Sequence, residues 1–144
     1  MSNSLDIATS VVNVTVPALH GLRLLAVDLN KIVEAPRSIQ KIKDDVSSVE
    51  MAIQSLQAID DMEWEALGDS VAKQSKAVIE HCTSACNNFH SDLQRWTSHS
   101  QDGSLSWLDR TKVGFFQEHQ LKAVSEHLQS CKTILNSAVG VATS

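Results

Sequence analysis

Between Ile39 and Leu56, six apolar residues (Ile39, Ile42, Val46, Val49, Ile53 and Leu56) follow one another at steps of 3, 4, 3, 4 and 3. At 3.6 residues per turn this spacing puts all six on one side of a helix, whereas a strand turns successive side chains to opposite faces and cannot use it. A second stripe, Leu121, Val124, Leu128, Cys131, Leu135, Ala138 and Ala142, steps by 3, 4, 3, 4, 3 and 4. Each stripe needs another helical face to bury against, so the chain is expected to be all-α. Composition agrees, with only 5 Gly and 2 Pro among 144 residues. That length fits a single domain over residues 1–144.

The remaining elements follow from punctuation. Helix 2 is expected over 37–59, with Pro36 suited to a first turn that has no use for its missing N–H. Asp60 and Asp61 offer capping oxygens and negative charge to a third helix over 62–98. Its apolar face runs through Leu67, Val71, Val78, Cys82, Ala85, Phe89, Leu93 and Trp96, with one weak turn at Gln74 or Ser75. A polar cluster from Ser98 to Ser104 reads as a loop. A short helical turn is expected at Leu105, Trp107 and Leu108, then a break at Gly114 within the apolar group Val113, Phe115 and Phe116, and helix 4 over 117–140. Helix 1 is apolar on more than one face and contains Pro17, whose ring removes a backbone bond and is expected to kink or divide it. Together these predict a single up-and-down bundle of about four helices.

Composition narrows the function. A net charge of −5 opposes approach to a phosphate backbone, so no nucleic acid is expected as a partner. Three cysteines, Cys82, Cys86 and Cys131, form no disulfide framework and point to a reducing, cytoplasmic setting. The first twenty residues carry Asp6 instead of a basic stretch, which argues against a secretory signal. Residues 7–22 hold no Lys, Arg, Asp or Glu, but the run is short for a spanning helix and is diluted by Asn13, Thr15 and His20.

Chemistry-bearing patterns are sparse. Cys82, Cys86 and His90 repeat at four-residue spacing beside His81, and His127 with Cys131 repeats it on helix 4 and could complete a cross-helix site. Soft donors of this kind suit zinc, yet one helix face rarely closes a tetrahedral set, and both Cys82 and Cys131 fall on apolar stripes where a small hydrophobe belongs. No metal and no cofactor is therefore expected. Nucleophilic catalysis needs a nucleophile, a base and an orienting group that converge, and no Gly-x-Ser-x-Gly, HExxH or Walker-type run is present. No catalytic residue is expected. Trp64, Trp96 and Trp107, with Phe89, Phe115 and Phe116, read as a layer that seals one end of the bundle.

Two stretches carry a family resemblance. The opening Ser4, Leu5, Asp6, Ile7, Ala8, Thr9, Ser10, Val11 and Val12, followed by Glu34, Ala35, Pro36 and Arg37, resembles the start and first loop of the fungal N-terminal domain found at the head of NACHT-type and ankyrin-repeat STAND receptors, close to the HeLo-like cell-death domains. The closing stretch, from Leu105 to Arg110 through Lys112–Phe116 to Leu128–Lys132, resembles that family's final helix. The resemblance implies a helical bundle whose relatives are signalling or death-effector heads, some of which expose the N-terminal helix to permeabilise membranes.

The expected function is accordingly non-enzymatic: self-association or docking of a protein partner, with a lipid surface as the alternative target on activation. Helix 1 has more apolar positions than one stripe can use, and its candidates are Leu5, Ile7, Val11, Val12, Val14, Val16, Leu19 and Leu22. In this reading the segment is buried at rest and released by a population shift of a few kcal/mol.

Overall fold

The computed structural model describes residues 4–33, 37–97, 105–106 and 114–143, with side chains for 8–32, 37–95 and 118–143. Among the described residues there are five helices: α1 (Ser4–Asn30), α2 (Arg37–Gln57), α3 (Asp61–Leu67), α4 (Asp69–Thr97) and α5 (Gly114–Ala142). Two short strands, β1 (Ile32–Val33) and β2 (Leu105–Ser106), pair in parallel, Ile32 with Leu105 and Val33 with Ser106. Leu105 is therefore extended where a helical turn was expected. Pro36 and Trp107 lie outside the described residues, as do the side chains of Leu5, Ile7, Trp96, Phe115 and Phe116.

The two strict stripes do what their spacing demands. Every member of the α2 stripe is buried, and on α5 the line from Leu121 to Ala138 is buried while Ala142 packs at its margin. Val49, Ile53, Leu128 and Leu135 are essentially inaccessible. Both stripes belong to one continuous core, to which all five helices contribute.

Neighbour relations define the arrangement. α1 packs on α4 and α2, and α5 packs on α2 and α4, which gives the circular order α1, α2, α5, α4. Arg23 pairs with Glu50 at 3.1 Å and Gln57 donates to the Thr15 hydroxyl at 2.8 Å, so α1 and α2 run in opposite directions. On the α1–α4 side, a Cβ at Gly21 would stand 3.2 Å from the Asn87 amide oxygen, and Asp28 pairs with His90, so these two helices run in the same direction. Parallel exits from one end of the bundle explain why β1 and β2 can meet. Chain direction alternates, as an up-and-down bundle requires, but α2 and α4 stand diagonally. α3 makes that diagonal connection and packs on α1, α4 and α5 at the end of the bundle.

Two helix boundaries differ from expectation. The segment expected as one helix over 62–98 is two helices, because Gly68 adopts φ 91° and ψ 166°, outside any helical region and in a half-space that side-chain-bearing residues avoid. Asp60 caps α3: its carboxylate accepts from the Glu63 amide at 2.8 Å, and the Glu63 carboxylate accepts from the Asp60 amide at 3.1 Å. The break also resets the helical phase. The buried line of α4 is Ala72, Ser75, Ile79, Cys82, Cys86, Phe89 and Leu93, while Val71 and Val78 are only half-buried.

Pro17 does not divide α1, which is one helix of 27 residues. Pro17 lies on the exposed side, as does Asn13, the residue whose carbonyl loses its partner to the proline ring. Water can hydrate that carbonyl, so the missing bond costs little there. On the inner side, Thr15 is fully buried and donates to the Val12 carbonyl at 2.6 Å.

Candidate functional site

The candidate residues on α1 separate into two faces. Val11, Leu19 and Leu22 are buried in the core together with Ala8, Ala18, Leu25 and Leu29, and Val14 packs at its margin. Val12 and Val16 face outward, 38% and 62% exposed. The side chains of Leu5 and Ile7 lie outside the described residues. The outward group also includes Leu24, 39% exposed, and Val27, 53% exposed, neither of which was among the sequence candidates.

The outer group lies on one side of the helix, as two pairs, Val12 with Val16 and Leu24 with Val27. At 100° per residue Val12, Val16, Val27 and Leu24 fall within an arc of about 120°, with Pro17 beside it. Thr9, Asn13, His20 and Arg23 are interspersed on the same exposed side. Arg23 is held at one edge by Glu50. The signal for Val27 was present in the sequence, since it shares helical phase with Val16, but it could be used only once the inward direction was known; Leu24 lies at the far edge of the arc, and only the packing shows it to be exposed.

Cys82, Cys86 and Cys131 converge at the α4–α5 interface, all buried and reduced. Cys82 takes hydrogen bonds from both Cys131 and Cys86, which lower its pKa against the opposing effect of burial, with a smaller contribution from His127. Cys86 and Cys131 are pushed upward, first because each hydrogen-bonds to Cys82 and then because burial penalises a thiolate. His90 is drawn away to Asp28 of α1, so the evenly spaced Cys82, Cys86 and His90 set is divided between two interfaces. Among the described residues no group of three or more His, Cys, Asp or Glu side chains is arranged to hold a metal ion.

Polar links across the core stand in structural positions. The buried Asp45 carboxylate accepts from Gln129 at 2.6 Å and from Ser125 at 3.3 Å, joining α2 to α5. Trp64 is fully buried, as expected of a residue sealing one end of the bundle.

The fold and its faces define a helical-bundle domain whose first helix is apolar both toward the core and toward solvent. The chain belongs to the family described as pigment biosynthesis cluster protein PigL N-terminal, whose model matches residues 2–144. This is a fungal N-terminal domain family related to HeLo-like fungal domains. No curated protein matches the chain, and no solved structure matches it.

Proposed function

We propose that the domain is a non-enzymatic interaction module, resembling the N-terminal effector domains of fungal STAND receptors, that self-associates or docks a protein partner through the outer face of α1. The carrying observation is the exposure of Val12, Val16, Leu24 and Val27 on one helix whose other face is fully used by the core. Apolar side chains grouped in this way favour association more than the same residues scattered singly. Membership in a fungal N-terminal domain family related to HeLo-like domains supports this reading.

Burial also separates docking from release. Freeing α1 would expose Val11, Leu19, Leu22, Leu25 and Leu29. At about 1.5–3 kcal/mol for each such side chain the cost is roughly 7–15 kcal/mol. That equals the whole stability of a typical domain, about 5–15 kcal/mol. A shift of a few kcal/mol is therefore too small to release the helix, and an outer face that works while α1 stays docked is the more economical device.

The membrane reading rests on a separate observation. Ala8–Asn30 has a mean hydropathy of 1.4 and is long and apolar enough to cross a bilayer. In that reading lipid contact with the released inner face offsets the loss of the core.

Sedimentation of the full chain across a concentration series tests the proposal. The native protein gains mass with concentration, and Val16→Asp combined with Val27→Asp holds it monomeric with its helix content intact. Both positions are exposed, so a folded variant is expected. A native chain that stays monomeric and captures no protein partner, yet empties dye-loaded vesicles of phosphatidylcholine and phosphatidylserine, would reject docking in favour of the lipid reading.

A further inference from the structure

The face of α4 has one weak turn in its apolar pattern, at Gln74 and Ser75. The structure puts Ser75 on the buried line between Ala72 and Ile79, fully closed to water, and its hydroxyl has no hydrogen-bond partner among the described residues. A serine inside a helix ordinarily returns its proton to the carbonyl one turn back. A buried hydroxyl without a partner carries an uncompensated desolvation cost. Alanine would fit the same core line without that cost.

Ser75 lies at the wall of a groove of about 320 Å³ between α4 and the last turns of α5. Leu67, Val71, Ile134 and Ala138 supply its apolar wall, and the exposed Gln74, Thr133 and Ser137 stand at its rim. Beyond Ala66 and Leu67 the groove continues into a second hollow of about 420 Å³ toward Met62, Asp60 and Glu63. A volume of this size, mostly apolar with few polar groups, is that of a small-molecule site.

The charges present select the ligand class. Among the described residues no Lys, Arg or His lines either hollow, so an anionic head finds no counter-charge from them. Asp60 and Glu63 are the charged side chains there, and both are engaged in the cap of α3. We propose that this groove binds an uncharged, mainly apolar small molecule carrying one hydrogen-bond acceptor, a ketone or ester oxygen, which takes the proton of the Ser75 hydroxyl. Because Ser75 is closed to water, binding parts the wall next to it. Gly68, where α3 and α4 separate, lies at the N-terminal end of that wall. Among the described residues none of α1 lines the groove, which is therefore separate from the exposed valines and leucine of α1.

The full chain is titrated with N-phenyl-1-naphthylamine, a neutral fluorophore that brightens in apolar sites, and the bound probe is then displaced with 2-nonanone or with nonanoate. The expected result is saturable binding near one probe per chain, displaced by the ketone at concentrations at least about tenfold below those needed for the carboxylate. Ala66→Phe and Ser137→Phe, at exposed positions on opposite walls, each weaken the probe by about tenfold or more. Ser75→Ala weakens the ketone by about fivefold, one hydrogen bond, while raising the melting temperature of the free protein. A serine with a purely structural role would lower that temperature when replaced. Equal displacement by nonanoate, full binding in both Phe variants, or loss of binding in Val16→Asp with the Phe variants unchanged would each overturn the proposal.

Discussion

Neighbouring helices α1 and α2 use apolar residues in different ways. α2 has one stripe at 3,4 spacing with a polar face opposite it, and the whole stripe is buried. α1 has valines and leucines on both sides, and only the inner set is used by the core. Where apolar residues keep strict helical phase, the pattern already selects the inward face. Where they surround the helix, packing against α2 and α4 makes the choice. The face left over on α1 is then the part of the molecule most open to function.

The largest expected effect contrasts the two faces of α1 directly. Leu22→Asp buries an unpaired carboxylate in the core and should cost more than about 4 kcal/mol, enough to unfold the domain as read by circular dichroism. Leu19→Lys fails for the same reason, so a charge test of function must use outer positions. Val16→Asp should stay within about 0.5 kcal/mol of the native stability. Equal destabilisation by Leu22→Asp and Val16→Asp would erase the distinction between the faces.

The strict stripe offers the next test. Leu128→Ala on α5 should cost about 2–5 kcal/mol, through lost transfer energy and a residual cavity, in urea denaturation. A loss under half a kilocalorie would mean that this stripe faces water.

Two smaller effects probe the end of the bundle, where α3 connects the diagonal helices. Gly68→Ala meets no atom within 4 Å, so its penalty is conformational, about 1–3 kcal/mol for a side chain held at that positive φ. Were α3 and α4 one continuous helix, alanine would stabilise the protein instead. Asp60→Ala removes the cap and should cost about 1 kcal/mol; thermal unfolding resolves that loss, and no change would show that the reciprocal bond to Glu63 is dispensable.

Several features were legible without coordinates. The inner lines of α2 and α5 follow from spacing alone, and the Asp60 cap follows from its place before a helix start. Trp64 was rightly read as an interior residue. The break at Gly68 was not legible, since an isolated glycine inside an apolar pattern is often tolerated within a helix. The inward line of α4 was legible in its second half, where Cys82, Phe89 and Leu93 are buried as their spacing required, but its start was displaced: Leu67, Val71 and Val78 lie at the margin, and Ala72, Ser75 and Ile79 take the inner positions. The convergence of Cys82 and Cys86 with Cys131 was foreseen only as one option, because the distance between helices is not written in either one.

The sequence alone determined that this chain is helical, which faces of α2 and α5 turn inward and where α3 begins, because those properties depend on periodicity and on bonds between residues a few positions apart. Only the tertiary structure decided which side of α1 remains exposed, that Pro17 leaves this helix undivided, that α2 and α4 stand on a diagonal and that Ser75 lies unpartnered beside a groove. Each of these is set by which surfaces meet across the core, a competition among contacts distant in sequence that local spacing does not encode.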